Sequence, residues 1–558
     1  MRRQERIRLT DTTEEQTVAD RKYSGFLVSG ISLPPDANEQ EACDIAASDL
    51  KRAGVDPARI RFSIYKRSVD ARKRNDIRLV YSVAAKLDSP RSVSLVESRA
   101  KHRISPLVDG ELKIVRGSRP MSAPPVVVGM GPAGLFGALL LAENGYAPII
   151  IDRGDSVRDR SAAYERFKKF GLLDVDSNIQ FGAGGAGTFS DGKLLTRIND
   201  EKIGYVLQRF CDFGAPEEIL VAAKPHVGTD LLLGIVDKML SRIEELGGKV
   251  MYRTRMDGIR ELADGNIALE TTSGEIVASS VLMAVGHSAR DTYRMLLENG
   301  FSIEAKSFSV GVRVEHLRED IDRALYGDMA GHEKLGKGEY HLSDTSSGRG
   351  VYTFCMCPGG EVVAAASEEG GVVVNGMSHN ARDGRNSNSA VAVSVFKNDY
   401  DGTPMGAINF QRNIERAAFE AGGADYSAPM QTVASFLGRS DKNEIDRIMP
   451  TYRDGKVRPC ALDTVLPAFI CDELRRGLLS FDRKLSGFAC DDAILTGVET
   501  RTSAPVRILR TEELRALGKG RIYPCGEGAG YAGGITSAAI DGLRVALKIM
   551  EEFAPLRP

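Results

Sequence analysis

The spacing Gly129-x-Gly131-x-x-Gly134 stands in the run VVVGMGPAGLFGALLLAENG, and glycines so placed do one thing well: they bring backbone N–H groups against a phosphate. The first permits a tight turn, the second lets the chain approach a pyrophosphate with no Cβ in the way, and the third lets a helix pack on the preceding strand. Pro132 and Ala133 lie between them, where the helix begins and its free N–H groups face the ligand. Asp152 comes 23 residues after Gly129, with Arg153 next to it. An acid there accepts hydrogen bonds from a ribose 2′-hydroxyl and selects an adenosine without a 2′-phosphate. A second glycine-rich stretch holds Gly182, Gly184, Gly185, Gly187 and Gly192, with Ala186 and Thr188 among them and Lys193 directly after. Backbone without side chains can lie along a ligand there. Ser190, Asp191 and Lys193 are its nearest polar groups, and Lys193 either stabilises developing negative charge or braces the loop through Asp191.

These residues need an α/β frame. VVV reads as a buried parallel strand, LFGALLLAENG as a helix closed by Gly145, and APIIIDRG as a second strand, which completes a βαβ unit. Strands follow over 248–277, and then SSVLMAVGHSARDT, an apolar strand ending in Ala284-Val285-Gly286. Far downstream, GRIYPCGEGAGYAGGITSAAIDGLRVALKIM reads as a strand, a glycine-rich turn and a helix.

The last two segments resemble the second strand-end motif and the C-terminal motif of the glutathione-reductase-like flavoproteins. That resemblance implies non-covalent FAD, with Glu527 in place of the usual Asp at the ribityl chain and the helix starting near Gly534 facing the flavin pyrimidine. The wider set IQFGAGGAGTFSDGKLLTRI, SVGVRVEH, FCMCPGGEVVAAASEEGGVVVNGMS, GVETRTSAPVRI and GEGAGYAGGITSAAIDG looks like a bacterial family of NAD(P)/FAD-dependent oxidoreductases. The family implies FAD, a discontinuous FAD domain and a C-terminal FAD-dependent-protein domain, and it supplies no substrate. The cofactor set carried over is Gly129, Gly131, Pro132, Ala133, Gly134, Asp152, Arg153, Gly184, Gly185, Ala186, Gly187, Thr188, Ala284, Gly286, Gly526, Glu527, Gly533, Gly534 and Ile535.

The expected fold is α/β: a Rossmann-type, glutathione-reductase-like FAD domain in two parts, 123–305 and 496–558. A β-rich inserted substrate domain at 306–495 interrupts it, and a small α+β module at 1–90 and a linker or arm at 91–122 precede it. In the insertion SFSVGVRVEH and NSAVAVSV read as strands, VYTFCMC-PGG-EVVAAAS as a hairpin, and 404–421 and 472–486 as helices. Arg313, Glu315, His316, His379, Arg382 and Arg385 are its polar candidates. Lys193, Arg313 and Arg501 are three cations that could converge on an anionic substrate or the reduced flavin. Alternatively Arg501 pairs with Glu315 or Glu499 and pins two domains together. Cys355-x-Cys357 has no second Cys/His pair at ligand spacing, so it is no zinc site, and no metal is expected. Strand alternation would put both thiols on one buried face, as packing residues rather than a redox pair, and the flavin disulfide reductases carry a differently spaced pair beside their first FAD motif.

Glycine, 58 of 558 residues, is in excess, while 42% hydrophobic and 27% charged residues are ordinary for a globular chain. The net charge of −2 argues against a general coat for nucleic acid or anionic membrane. The charge is uneven, however: residues 51–120 carry 18 basic and 7 acidic side chains. EACDIAASDLKRAG reads as a helix there, with strands around 60–64 and 77–83 and KRSVDARKRNDIR at their edges. The basic run is a solvated hairpin face or a docking surface for a polyanion. Eight cysteines without a regular pattern, a charged start with no apolar core, and no run long enough to span a bilayer suggest a reduced, cytoplasmic protein.

The leading expectation is therefore an FAD-dependent oxidoreductase, a dehydrogenase or reductase of a small molecule. No second dinucleotide motif occurs, so NAD(P)H or an electron-transfer protein would serve the flavin only transiently. A flavoenzyme acting on RNA through the basic module and a non-catalytic flavin-binding sensor are the alternatives.

Overall fold

In the small N-terminal unit, Asn38 starts a helix by accepting from the Gln40 N–H at 3.0 Å, and Glu41 reaches back to the Asn38 N–H at 3.0 Å. This reciprocal cap fixes the first turn of helix Glu39–Arg52. Ala42, Ala46 and Leu50 on its inner face are fully buried, as are Phe26, Val28, Leu79, Tyr81 and Val83 of the antiparallel sheet. The sheet order is Ile60–Asp70, Arg78–Ser92, Lys22–Leu33, Arg103–Pro106.

The last strand falls in what reads from sequence as a linker or arm. Four residues are too few to show a period. What secures the segment is Asp49, buried at the helix end, which accepts from the backbone N–H groups of Lys101 (3.3 Å) and His102 (3.1 Å) and lies 2.6 Å from His102 Nδ1. The structure, a computed structural model, describes residues 22–92, 99–107 and 112–556; the charged start lies outside them. The chain divides into two units, Met1–Glu111 with Leu220–Ala223, and Leu112–Ile219 with Lys224–Pro558.

The large unit is built on a parallel sheet in the order Ile522–Pro524, Val281–Met283, Val126–Val128, Ile149–Ile151, Lys249–Met251. Its central strands are apolar on both faces: Val127, Ile150 and Leu282 pack on helices Pro132–Glu143 and Ile535–Glu552, while Val126, Val128, Ile151 and Met283 pack on a three-stranded antiparallel sheet, Met256–Glu261, Ile267–Thr271 and Gly274–Ala278. Helices Pro132–Glu143 and Ile535–Glu552 pack closely together: an added Cβ at Gly542 would lie 2.0 Å from the Ala133 carbonyl oxygen. Residues 112–121 run along the second of these helices, with Gly117 N–H donating to the Met550 carbonyl at 2.7 Å and Arg119 paired with Glu552 at 3.0 Å.

A seven-stranded sheet forms the inserted region, in the order Ser343–Asp344, Val351–Cys357, Asn386–Val395, Phe308–Leu317, Ile494–Glu499, Ala428–Thr432, Val457–Pro459. Helices Pro404–Ala421 and Ala468–Lys484 also fall in this region. Two details differ from the sequence reading. Strand Ile494–Glu499 pairs with Phe308–Leu317 and Ala428–Thr432, so the insertion runs past 495. The expected hairpin at Pro358-Gly359-Gly360 does not form. Strand Glu361–Ala364 pairs instead with Val374–Met377 in a separate sheet, because Gly359, at φ 53°, turns the chain against the Arg382 carbonyl.

Candidate functional site

The three motifs that are remote in sequence meet at the C-terminal ends of the parallel strands. Gly129, at φ 100°, turns so tightly that a Cβ would stand 2.2 Å from the Ala284 oxygen. Gly185, at φ 62°, lies against the Cα of Gly131, and Gly526 lies against Ala133. Between them opens a cleft of about 1440 Å³, its mouth included. Of the expected cofactor set, Gly129, Gly131, Pro132, Ala133, Asp152, Gly185, Ala186, Gly187, Ala284, Gly286, Gly526, Glu527, Gly533, Gly534 and Ile535 line it.

Four members of the set do not. Gly134 packs the helix on the turn, where a Cβ would be 1.9 Å from the Gly129 oxygen. Gly184 and Thr188 shape the loop, and Arg153 borders a smaller side pocket, its guanidinium 4.4 Å from the centre of the Phe181 ring. Asp152 lines the cleft, yet its carboxylate already accepts from the N–H groups of Met130 (2.8 Å), Gly154 (2.8 Å) and Gly182 (3.0 Å). It therefore ties the turn to the next strand and to the 182–192 loop, in addition to facing the cavity.

A dinucleotide fits this lining. Added Cβ atoms at Gly286, Gly533 and Gly534 would meet no protein atom within 4 Å, and one at Gly131 none nearer than 3.9 Å, so the missing side chains open directly onto the cavity. Helices Pro132–Glu143 and Ile535–Glu552 both begin there, each offering N–H groups that have no partner inside the helix. The loop lining the cleft at 180–187 is held by Arg160, which is fully buried and which the sequence reading did not single out. Its guanidinium donates to the carbonyls of Asn178 (2.8 Å), Ile179 (2.6 Å), Ala183 (2.6 Å) and Gly185 (2.9 Å). Burial without a paired anion lowers its pKa to about 9. Glu527 faces the cleft with a carboxyl pushed up to about 7 by desolvation.

At the far end the lining changes to side chains of the inserted region: Phe354, Cys355, Asn375, Glu499, with Arg501 and Lys193. Of the three cations expected to converge, Lys193 and Arg501 line the cleft and Arg313 does not. Lys193 lines the cleft, and its ammonium also pairs with Asp191 and donates to the Met356 carbonyl, so the brace and the exposure coexist. Asp191 is held down at about 2, against a burial that would raise it, by Lys193 and Arg382; Arg382 donates to it through Nε at 3.0 Å.

Arg313, 0% exposed, does not line the cleft. It forms a two-bond pair with Glu499 at 2.7 and 2.9 Å and donates to Asn388 at 2.7 Å. Arg501 lines the cleft at 7% exposure but pairs with neither Glu315 nor Glu499. Its partner is Glu415, at 2.9 and 3.1 Å, and Glu415 also takes two bonds from Arg290 at 2.7 and 2.8 Å. The pinning partner was not legible because Glu415 is an ordinary helix residue far away in the chain.

Two further groups were missed. His287 lines the cleft with Nδ1 2.9 Å from Ser288 Oγ. Desolvation, with Arg501 and Arg290 nearby, lowers its pKa to about 3, so it is neutral. Cys355 also lines the cleft, contrary to the expected burial of both thiols. A bulge between Phe354 and Cys357 interrupts the pairing with Asn386–Val395, and Cys355 takes φ 45°. The extra residue breaks the alternation on which the packing interpretation rested. Among the described residues no helix is long and apolar enough to cross a membrane.

Comparison with known proteins agrees with this layout. A family described as FAD-dependent protein, C-terminal domain-like, matches residues 307–502, and a domain of unknown function matches 28–86. A Clostridium beijerinckii protein described as uncharacterized is 45% identical over 540 residues, covering 94% of this chain and 98% of its own. Among solved structures, CtdE in complex with FAD is 11% identical with a TM-score of 0.31, covering 77% of this chain and 86% of its own. A point mutant of the halogenase PltM in complex with FAD is 11% identical with a TM-score of 0.36, covering 76% of this chain and 67% of its own. Those two likenesses are too low to bear on function. The relative spans both chains almost end to end and the family match covers the inserted sheet, so the chain belongs to the family of FAD-dependent proteins that carry this C-terminal domain.

Proposed function

We propose that the protein is an FAD-dependent oxidoreductase that passes electrons between its flavin and a small organic molecule. The supporting observation is the change of lining along one cleft, from bare backbone at the phosphate-binding turn to Lys193, Asn375, Glu499 and Arg501 beneath the inserted sheet. FAD supplies the hydride or electron transfer. The backbone turns at Gly129, Gly185 and Gly526 would hold and orient it, and the helix starts at Pro132 and Ile535 would offer it N–H groups at their positive dipole ends. At the other end Lys193 contributes a cation that is fixed in place by Asp191 and the Met356 carbonyl. His287 stays neutral beside Arg501, so it can exchange hydrogen bonds with a substrate without adding a charge. The polar side chains at the far end of the cleft suit a small molecule beside the dinucleotide. NAD(P)H or an electron-transfer protein acts as a transient donor or acceptor.

The test is anaerobic. Holoprotein is reduced and mixed with a panel of small oxidants, and flavin absorbance reports reoxidation. Lys193→Met should keep one FAD per chain, since Asp191 retains Arg382, and should slow reoxidation at least ~10-fold, about 1.4 kcal/mol of barrier. If no oxidant acts faster on the holoprotein than on free reduced flavin, the assignment fails. An unchanged rate in the variant would remove Lys193 from the reaction.

A further inference from the structure

Cys355 and Cys357 have surroundings that packing does not explain. Cys355 opens on the cleft, on a bulge, while Cys357 is fully buried behind it. The Cys357 thiol lies 3.3 Å from the Cys355 carbonyl oxygen, and Arg313 Nη1 lies 3.9 Å from its sulfur and 3.2 Å from that same oxygen. Lys193 donates to the carbonyl of Met356, the residue between the two cysteines, so two cations grip the peptide segment that carries the thiols. A side-chain hydrogen bond from the Cys357 thiol to the Cys355 sulfur, together with Arg313 and Lys193, holds the Cys355 thiol below its usual range, and that bond and burial hold Cys357 above it. One sulfur is therefore prepared as a thiolate and its neighbour as the proton-bearing thiol. Glu527 also lines the cleft, at the turn after strand Ile522–Pro524 that leads into helix Ile535–Glu552, and a charge on Cys355 raises its carboxyl further.

We propose that Cys355 and Cys357 form a redox-active dithiol/disulfide pair that exchanges two electrons directly with the flavin bound in this cleft. The proposal rests on the flavin reading above. In one direction the Cys355 thiolate and the Cys357 thiol form an S–S bond and release two electrons and one proton. The oxidised flavin takes the electron pair with that proton and becomes the anionic dihydroflavin. In the other direction the reduced flavin cleaves the S–S bond and regenerates thiolate and thiol. Cys355, the sulfur that opens on the cleft, would be the one to meet the flavin, with Cys357 resolving it from behind.

The experiment counts electrons and thiols in the holoprotein. Air-oxidised protein is titrated anaerobically with dithionite, and parallel samples are denatured in iodoacetamide and the peptide containing 351–357 is weighed. The expected result is four electrons per chain, with no label on the peptide before reduction and two labels after it. Cys355→Ser and Cys357→Ser should each take two electrons at unchanged flavin content. Two electrons in the wild type, two labels on the air-oxidised peptide, or four electrons in either variant would overturn the pair while leaving a flavoprotein. A colourless protein that cannot be loaded with FAD would overturn the flavin assignment itself and this proposal with it.

Discussion

The two ends of the cleft are built in opposite ways. The end at Gly129, Gly131 and Gly185 works by absence: side chains are missing, backbone approaches, and helix starts point inward. The end under the inserted sheet works by charge held in pairs, Lys193 with Asp191, Arg313 with Glu499, and Arg501 and Arg290 on Glu415. A backbone site is specified by a short local pattern. A paired-charge site is specified by residues that meet only after folding.

The strongest way to break that contrast is at Gly131. Its φ of −72° suits any residue, and a Cβ there meets no protein atom nearer than 3.9 Å. Gly131→Val should therefore change the stability of the flavin-free chain by less than about 1 kcal/mol while flavin absorbance per chain falls at least ~10-fold, about 1.4 kcal/mol of binding or more. Gly134→Val is the counterpart. With a Cβ 1.9 Å from the Gly129 oxygen it should destabilise the flavin-free chain itself, by about 3 kcal/mol or more. Similar behaviour of the two variants would mean that the glycines serve packing only.

At the charged end, Glu415→Ala leaves the guanidinium groups of Arg290 and Arg501 buried around a missing carboxylate. The expected cost is about 3–5 kcal/mol, seen in a denaturation midpoint. A loss near zero would show that Glu368, which also pairs with Arg290 at 2.8 Å, carries that load alone.

The smallest effect should come from Glu527, where the two ends adjoin. Its carboxyl is pushed up to about 7 in the folded chain, so the folded state holds a proton that the unfolded state has released. Flavin-free protein should therefore lose stability as pH rises from the ordinary carboxyl range toward 7 and level off above. Glu527→Gln should flatten that slope in a series of thermal melts. An identical pH dependence in the variant would assign the slope to other groups.

The difference between the ends also explains how much could be read in advance. Strand, turn, helix and acid at 126–152 follow one another in the chain, so the βαβ unit and its ligand class were legible there. Fifteen of the nineteen expected cofactor residues line the cleft for the same reason. Arg160 was not legible, because its partners are backbone carbonyls that no residue type announces. Neither was the Arg501–Glu415 pair, whose members lie on separate elements. Cys355 was misread because a single extra residue in a strand leaves the hydrophobic pattern nearly unchanged while turning one side chain to the other face.

The parallel sheet has one more consequence, which concerns time. Its strand Ile522–Pro524 pairs with Val281–Met283 but is encoded after the whole inserted region. At roughly 5–20 residues per second, a ribosome leaves the Val281–Met283 edge bare for on the order of ten to fifty seconds before its neighbour is made. The phosphate-binding turn thus exists well before the helix starting at Ile535 that completes the cleft. The complete cleft can therefore exist only after the helix starting at Ile535 has been made.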